Sequence, residues 1–168
     1  IPNTTAQAVL AAADLGVWMV NVHASGGPAM MSEARQRLSK AGHSTLLIAV
    51  TILTSMDQQQ LSAIGISTPL LEQVTRLATL AESCGLDGVV CSALEVSHLK
   101  SCISAPDFHF VTPGIRPASA AKDDQQRVMT PQQAMQAGST ELVIGRPITQ
   151  APNPKVILQE ILSTLTTH

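Results

Sequence analysis

The sequence predicts an α/β fold, and more narrowly strands 4–8 of a (β/α)8 barrel, also called a TIM barrel. Five short apolar runs alternate with helical segments over 168 residues, which is typical of a parallel sheet with crossover helices. Apolar residues make up 45% and charged residues 13%, as expected where strands are covered on both faces. Polar groups follow several strands rather than one, which favours a barrel over an open doubly wound sheet.

The predicted strands are apolar runs bounded by turn residues. They cover residues 17–22, 46–53, 88–91, 108–111 and 141–144.

The predicted helices are marked by capping residues, first-turn prolines and terminal glycines. Asn3 or Thr4 is the expected cap of the first helix, and Thr68, Thr130 and Asn153 each precede a proline. The helices predicted in this way cover residues 6–15, 30–40, 69–84, 94–103, 131–137 and 154–165.

The chain is predicted to be a single domain, residues 1–168, forming the C-terminal portion of a barrel. It begins with Ile1 at the edge of a helix and has no initiator Met. Barrels of this type have about 250 residues. If residues 141–144 form the last strand, then the first three strands and roughly 80 residues are expected upstream.

Composition excludes several classes of partner. A net charge of −2 and an aromatic content of 2% argue against nucleic acid. The longest apolar stretch, at residues 46–53, is too short to span a membrane. The 3 cysteines form no CxxC pair, which is typical of reduced thiols in a cytoplasmic protein. The histidines are scattered, so no metal site is predicted.

Two arginines predict a phosphate site at the end of the sheet. Arg116 follows the fourth apolar run, and Gly145 and Arg146 follow the fifth. A guanidinium group binds two phosphate oxygens in a fork geometry, and glycine lets a backbone N–H approach an anion closely. Either arginine alone has an equally good interpretation as a surface or salt-bridge residue. Their equivalent positions after neighbouring strands favour phosphate.

Other candidate residues have weaker signals. Thr54 and Ser55 end the second run and offer hydroxyl groups, although "TSMD" is also a helix-capping pattern. Gln125 lies in a polar connection, residues 116–128, whose length suggests a lid, although a loop glutamine is often only solvated. His23 has no second ligand at metal-binding spacing, so an interior or loop histidine is the preferred interpretation. No lysine or carboxylate directly follows a predicted strand, so the sequence shows a binding site without a catalyst.

The chain resembles the bacterial orotidine 5′-phosphate decarboxylase family along its whole length. The segments that carry the resemblance are "IPNT", "AAADLGVWMVNVHASGG", "LLIAVTILTSM", "CGLDGVVCS", "VTPGIRP" and "VIGRPIT". The resemblance implies a (β/α)8 barrel of the ribulose-phosphate-binding type that acts as a homodimer, with sites at the interface. It also implies conversion of orotidine 5′-monophosphate (OMP) to UMP and CO2 in de novo pyrimidine biosynthesis, without a metal or organic cofactor.

The resemblance assigns roles to individual residues. Arg116, Gly145 and Arg146 would hold the phosphate, Gln125 would bridge to it from the lid, and Thr54 would contact the nucleotide near its base. The opening segment would reach into the site of the partner subunit, and it consists of Pro2, Asn3 and Thr4.

The catalytic residues of that family are not in this sequence. Its Asp-x-Lys-x-x-Asp motif ends immediately before the segment that matches "IPNT", so catalytic residues are expected upstream of Ile1 and the chain alone is expected to be inactive. Two alternatives stay open. The chain is either a non-catalytic phosphate-binding fragment or part of a phosphosugar epimerase or hexulose-phosphate synthase, although those enzymes lack the "IPNT" opening and "ASGG".

Overall fold

A computed structural model describes residues 1–117 and 129–165 of the chain. Its five strands form one sheet in the order in which they occur along the chain, with every neighbouring pair parallel. They are β1 (Met19–His23), β2 (Leu46–Val50), β3 (Gly88–Val90), β4 (His109–Thr112) and β5 (Glu141–Leu142). A doubly wound sheet reverses its strand order at a switch point, whereas successive barrel strands do not. The predicted barrel topology and its five strands are therefore confirmed.

The helices follow the strands and cover the sheet. They are α1 (Pro2–Asp14), α2 (Pro28–Ala41), α3 (Gln58–Ala63), α4 (Leu70–Ser83), α5 (Val96–Cys102), α6 (Pro131–Ala137), α7 (Arg146–Thr149) and α8 (Pro154–Leu165). Helices α3 and α7 were not predicted. Because α3 and α4 both lie between β2 and β3, the expected strict alternation of strand and helix is wrong at this point.

Two of the predicted helix caps are confirmed and two are wrong. Asn153 caps α8, since its Oδ1 accepts from Val156 N at 3.4 Å. Thr130 caps α6 in a capping box, with Gln133 N donating to Thr130 Oγ1 at 3.2 Å. Helix α1 begins instead at Pro2, so Asn3 and Thr4 lie inside its first turn. A proline is tolerated at a first helical position because its φ is already helical.

At α4 the cap comes from another helix. The side chain of Gln58, the first residue of α3, accepts a hydrogen bond from Leu70 N at 2.7 Å through Oε1. Its Nε2 donates to the carbonyl oxygen of Thr68 at 3.2 Å. Because Gln58 satisfies this backbone N–H, α4 begins at Leu70 and Thr68 is not its cap.

The core lies between the sheet and the helices. Leu47, Ile48 and Ala49 of β2 are all buried, as expected for a barrel strand covered on both faces. Leu38 of α2 and Val74 of α4 belong to the same core cluster as Leu47 and Ala49. In β1, which pairs only with β2 among the strands described, Asn21 and His23 are exposed.

Strands β3 and β4 approach each other closely at Gly88. A Cβ atom at this position would lie 2.5 Å from the carbonyl oxygen and 2.6 Å from the Cβ atom of His109. These atoms belong to the paired strand and cannot move without disturbing the ladder. Gly88 is therefore required by the spacing of the strands.

Substituting Gly88→Ala is expected to lower the free energy of unfolding by about 3 kcal/mol or more, because backbone overpacking must be relieved by separating β3 from β4. Urea unfolding followed by circular dichroism measures the change. Gly26→Ala is the matched control, because its added methyl group would meet only the flexible end of the Met30 side chain. Equal losses for the two variants would contradict the argument.

Candidate functional site

The register of β4 and β5 places two arginines at equivalent positions beyond the sheet. Val111 pairs with Glu141, and Thr112 pairs with Leu142. Arg116 and Arg146 follow this last pair at the same spacing. Carboxyl ends of neighbouring parallel strands meet at one edge, so both arginine-bearing loops leave the sheet there.

An apolar cluster joins the two loops. Ile115, which is fully buried, and Ile144 belong to the same cluster. Ile115 directly precedes Arg116, and Ile144 directly precedes Gly145. The other members come from neighbouring segments and are Ala93, Met129, Ala134 and Leu142. Packing therefore holds the backbones of the two loops together.

Arg116 has a buried guanidinium group whose hydrogen bonds are incomplete. The residue is 7% exposed, and its backbone N donates to Met129 O at 3.0 Å. Nη1 donates to the carbonyl oxygen of Ile115 at 3.2 Å. Nε is buried and finds no hydrogen-bond partner among residues 1–117 and 129–165. A buried charged donor without an acceptor is costly, so this geometry suits an anionic ligand.

Gly145 leaves open space beside Arg146. Gly145 has φ −99°, which any residue can adopt, and an added Cβ atom would meet nothing within 4 Å. Packing thus does not require glycine at this position. Arg146 is half-buried and begins α7. The loop presents a bare backbone to an accessible space, which is what close approach by an anion requires.

Thr54 lies at the same edge of the sheet, after β2. It is 6% exposed. The preceding turn is fixed by Thr51, whose N and Oγ1 donate to Val90 O at 3.1 and 2.9 Å. The helix-capping interpretation of "TSMD" is confirmed at Asp57, which caps α3 by accepting from Gln60 N at 2.9 Å.

The opening segment lies at the β1 end of the strand order, whereas the two arginines follow β4 and β5 at its other end. Pro2, Asn3 and Thr4 form the first turn of α1, beside β1. Asn3 Oδ1 accepts from Arg37 Nη2 at 2.9 Å. A cavity of about 660 Å³ lies between this turn and β1, and Pro2, Thr4 and His23 are among its lining residues. Within one chain, the structure does not bring this segment together with Arg116 and Arg146.

His23 and Gln125 complete the predicted set. His23 ends β1, next to the loop that follows it, and is exposed, which agrees with the loop alternative rather than the interior one. No group of three or more His, Cys, Asp or Glu side chains in the described part of the chain is arranged to hold a metal ion. Gln125 and most of the predicted lid lie outside the described residues. Within those ranges, no helix is both long enough and apolar enough to cross a membrane.

Sequence analysis missed a buried carboxylate beyond β3. Glu95 is 4% exposed, and its Oε2 accepts from Ser92 N at 2.9 Å. The signal was present, because Ser92-Ala-Leu-Glu95 has the spacing of a capping box. This oxygen binds the backbone of the turn between β3 and α5, so the contact supports that turn.

Parallel strands in barrel order, with arginine-bearing loops beyond the last two, place the chain in the class of (β/α)8 barrels, in which phosphate often binds at the loops after the last strands. The model of the orotidine 5′-phosphate decarboxylase / HUMPS family matches residues 1–161, and the chain belongs to this family. The resemblance found in the sequence is thereby confirmed.

Solved structures agree with this assignment. Orotidine 5′-phosphate decarboxylase from Lactobacillus acidophilus is 41% identical with a TM-score of 0.84, covering 99% of this chain and 71% of that one. An uncharacterized conserved protein from Geobacillus kaustophilus is 38% identical with a TM-score of 0.80, covering 98% of this chain and 71% of that one. Orotidine 5′-phosphate decarboxylase from Pyrococcus horikoshii OT3 is 19% identical with a TM-score of 0.74, covering 100% of this chain and 70% of that one. Because this identity is low, the comparison supports the fold alone.

Replacing Arg116 by methionine is expected to leave the unliganded chain equally stable or to stabilise it by about 1 kcal/mol, because a buried charged donor is removed. Urea unfolding without phosphate measures this.

Arg35→Met is the control for Arg116→Met, because Arg35 Nη1 lies 3.0 Å from Asp87 Oδ2. Its loss is expected to cost about 1 kcal/mol, since both side chains are partly exposed. A larger loss for Arg116→Met than for Arg35→Met would mean that Arg116 has a structural role.

Proposed function

We propose that this chain forms the phosphate- and nucleotide-binding part of an enzyme that decarboxylates OMP to UMP in de novo pyrimidine biosynthesis. The observation that carries the proposal is the buried Nε of Arg116, which lacks a partner among the described residues, in a loop packed against the Gly145-Arg146 loop. The 41% identity to the Lactobacillus acidophilus decarboxylase supports it.

The phosphate group of the nucleotide is the proposed ligand of both loops. Arg116 would offer Nε and a terminal nitrogen as a fork, and Arg146 would supply a second positive charge from the neighbouring loop. The backbone N–H of Gly145 would approach a phosphate oxygen across the open space beside it. Gln125 would bridge to the phosphate from the lid, and Thr54 would contact the nucleotide near its base.

The binding energy of a remote phosphate contributes to catalysis by orienting the reacting part of the substrate. The Asp-x-Lys-x-x-Asp motif of the family does not occur in the 168 residues. The lysine that protonates the pyrimidine carbon and the carboxylates that help expel CO2 would therefore come from residues outside this sequence. The reaction is proposed to need no cofactor, and the chain alone is proposed to be inactive.

We also propose a homodimer with the sites at its interface, each chain contributing one domain, residues 1–168. Thr4 is exposed at the start of α1, and the neighbouring Asn3 is anchored by Arg37. A fixed turn with an exposed hydroxyl suits contact with a partner's substrate.

The 3 free cysteines of the chain support the proposal of a cytoplasmic location. No nucleic-acid or membrane partner is proposed.

A phosphosugar substrate is the second candidate, because the description of the matching family includes HUMPS. A phosphate site alone does not distinguish a nucleotide from a sugar phosphate. The identity to a decarboxylase favours the nucleotide. A phosphate-binding role without catalysis is the third possibility.

The protein that contains this chain is expected to release CO2 from OMP labelled in its carboxyl group. The 168-residue chain alone is expected to bind UMP without turnover. Turnover by the chain alone would contradict the placement of the catalytic residues. Activity on a pentose or hexulose phosphate, with none on OMP, would establish the second candidate instead.

Arg146→Ala is expected to weaken UMP binding by roughly 10- to 100-fold, the range for loss of a charge-assisted hydrogen bond, while binding of uridine is unchanged. Isothermal titration calorimetry with both ligands measures the difference. Arg76→Ala is the control, because Arg76 is an exposed arginine paired with Glu72 on α4. Equal UMP affinity for Arg146→Ala and the unsubstituted protein would remove Arg146 from the site.

A further inference from the structure

Strand β5 has the shortest pairing in the described sheet. Only two of its residues pair with β4, whereas β1 and β2 pair over five. After β5 the chain runs through residues 143 and 144 to Gly145 and Arg146. The register of β5 on β4 therefore sets where Arg146 lies relative to Arg116.

Apolar packing alone specifies this register weakly. Leu142 and Ile144 are two residues apart and both pack on the cluster that contains Ile115. Because side chains alternate with a period of two, a slip of β5 by two residues would put Ile144 in the place of Leu142 on the same face. Such a slip would move Arg146 by about 6.6 Å, which is two rises of a parallel strand, and out of step with Arg116.

Side-chain hydrogen bonds specify the register at the beginning of β5. His109 Nδ1, in β4, lies 2.7 Å from Glu141 Oε1, and a carboxylate only accepts, so Nδ1 carries the hydrogen. Thr140 Oγ1 donates to Glu141 Oε2 and accepts from Phe110 N at 2.7 Å. Both carboxylate oxygens of Glu141 are thereby bound, one directly to β4 and one through Thr140.

Thr112 of β4 binds the same segment with its hydroxyl group. Its Oγ1 donates to Ser139 Oγ at 3.0 Å and lies 3.3 Å from the carbonyl oxygen of Glu141. A backbone carbonyl is present at every residue, so the contact with Glu141 O does not depend on which residue lies there. The contact between His109 and the carboxylate of Glu141 does depend on it.

His109 is itself held from the side of β3. Its backbone N donates to Asp87 O at 2.9 Å, and its Cβ atom lies against Gly88, where no side chain would fit. The Trp18 ring meets its imidazole ring at 83°, with the ring centres 6.2 Å apart. The side chains of His109 and Glu141 are 24% and 25% exposed. A histidine fixed in this way can hold Glu141 at one position along β4.

We propose that His109 and Glu141 are positioning residues, whose contact fixes the register of β5 on β4 and thereby places Arg146 beside the loop of Arg116. A slip by two residues would bring Ser139 or Val143 to the place of Glu141, and neither carries a carboxylate. The role of the pair in placing Arg146 rests on the proposed phosphate site, whereas its role in the register does not.

The first experiment follows the register without any ligand, by hydrogen exchange measured with NMR. Val143 N donates to Thr112 O at 2.9 Å, so its hydrogen is protected only in this register. Glu141→Ala is expected to raise the exchange rate of Val143 roughly tenfold, through easier local opening. The amide of Cys91, which donates to Val111 O between β3 and β4, is the internal control and keeps its rate. An unchanged rate at Val143 would overturn the proposal.

The second experiment compares UMP with uridine by calorimetry on the protein that contains this chain. Glu141→Ala is expected to weaken UMP binding about tenfold, as for the loss of one charge-assisted hydrogen bond to phosphate, and to leave uridine binding unchanged. Glu141→Gln keeps an oxygen that accepts from His109 and is expected to restore UMP affinity. Glu72→Ala is the control, because Glu72 is an exposed carboxylate paired with Arg76.

A contact that only stabilised the fold would leave the ratio of UMP to uridine affinity unchanged in the folded Glu141→Ala protein, and that result would overturn the proposal. His109→Ala combined with Glu141→Ala is expected to lose no more UMP affinity than either change alone, because both remove the same contact. Additive losses would contradict it. If the unsubstituted protein bound UMP no more tightly than uridine, the proposed phosphate site would fail, and exchange at Val143 would still decide whether the pair fixes the register.

Discussion

Parallel pairing of the strands in chain order is the constraint on which the rest of this structure depends. Each strand of the series β1 to β5 pairs with the next in register. Every carboxyl end therefore lies at the same edge of the sheet, and every helix must return the chain to the opposite edge. Residues far apart along the chain, such as Thr54, Arg116 and Arg146, are placed at one edge by this pairing alone.

The close contact at Gly88 shows that the pairing of β3 with β4 leaves no room for a side chain at this position. His109, opposite Gly88 in the ladder, comes too near to admit even a methyl group. The next pair of strands, β4 and β5, is short, and the loops beyond it are held by the apolar cluster around Ile115. Backbone pairing places the ends of β4 and β5 side by side. Packing in the apolar cluster then holds the two arginine-bearing loops together.

Burial gives Arg116 a chemical character that an exposed arginine does not have. Its charge is permanent and its Nε lacks an acceptor in the described chain, so the unliganded site carries a cost that an anion would remove. At Arg116 the surroundings, rather than the residue type, decide what the side chain can do.

The amino-acid sequence by itself determined the number and order of the strands, the parallel sheet and the positions of Arg116 and Arg146. These features follow from local patterns, namely apolar runs, turn residues and spacing from a strand end. Only the tertiary structure decided that Gln58 caps α4 and that Glu95 is buried against Ser92. Even where a capping-box spacing is recognisable in the sequence, as at Ser92 and Glu95, it does not indicate whether the glutamate side chain is buried. Contacts between separate helices, such as that of Gln58 with Leu70, leave no local pattern at all, because they arise only when packing brings the elements together.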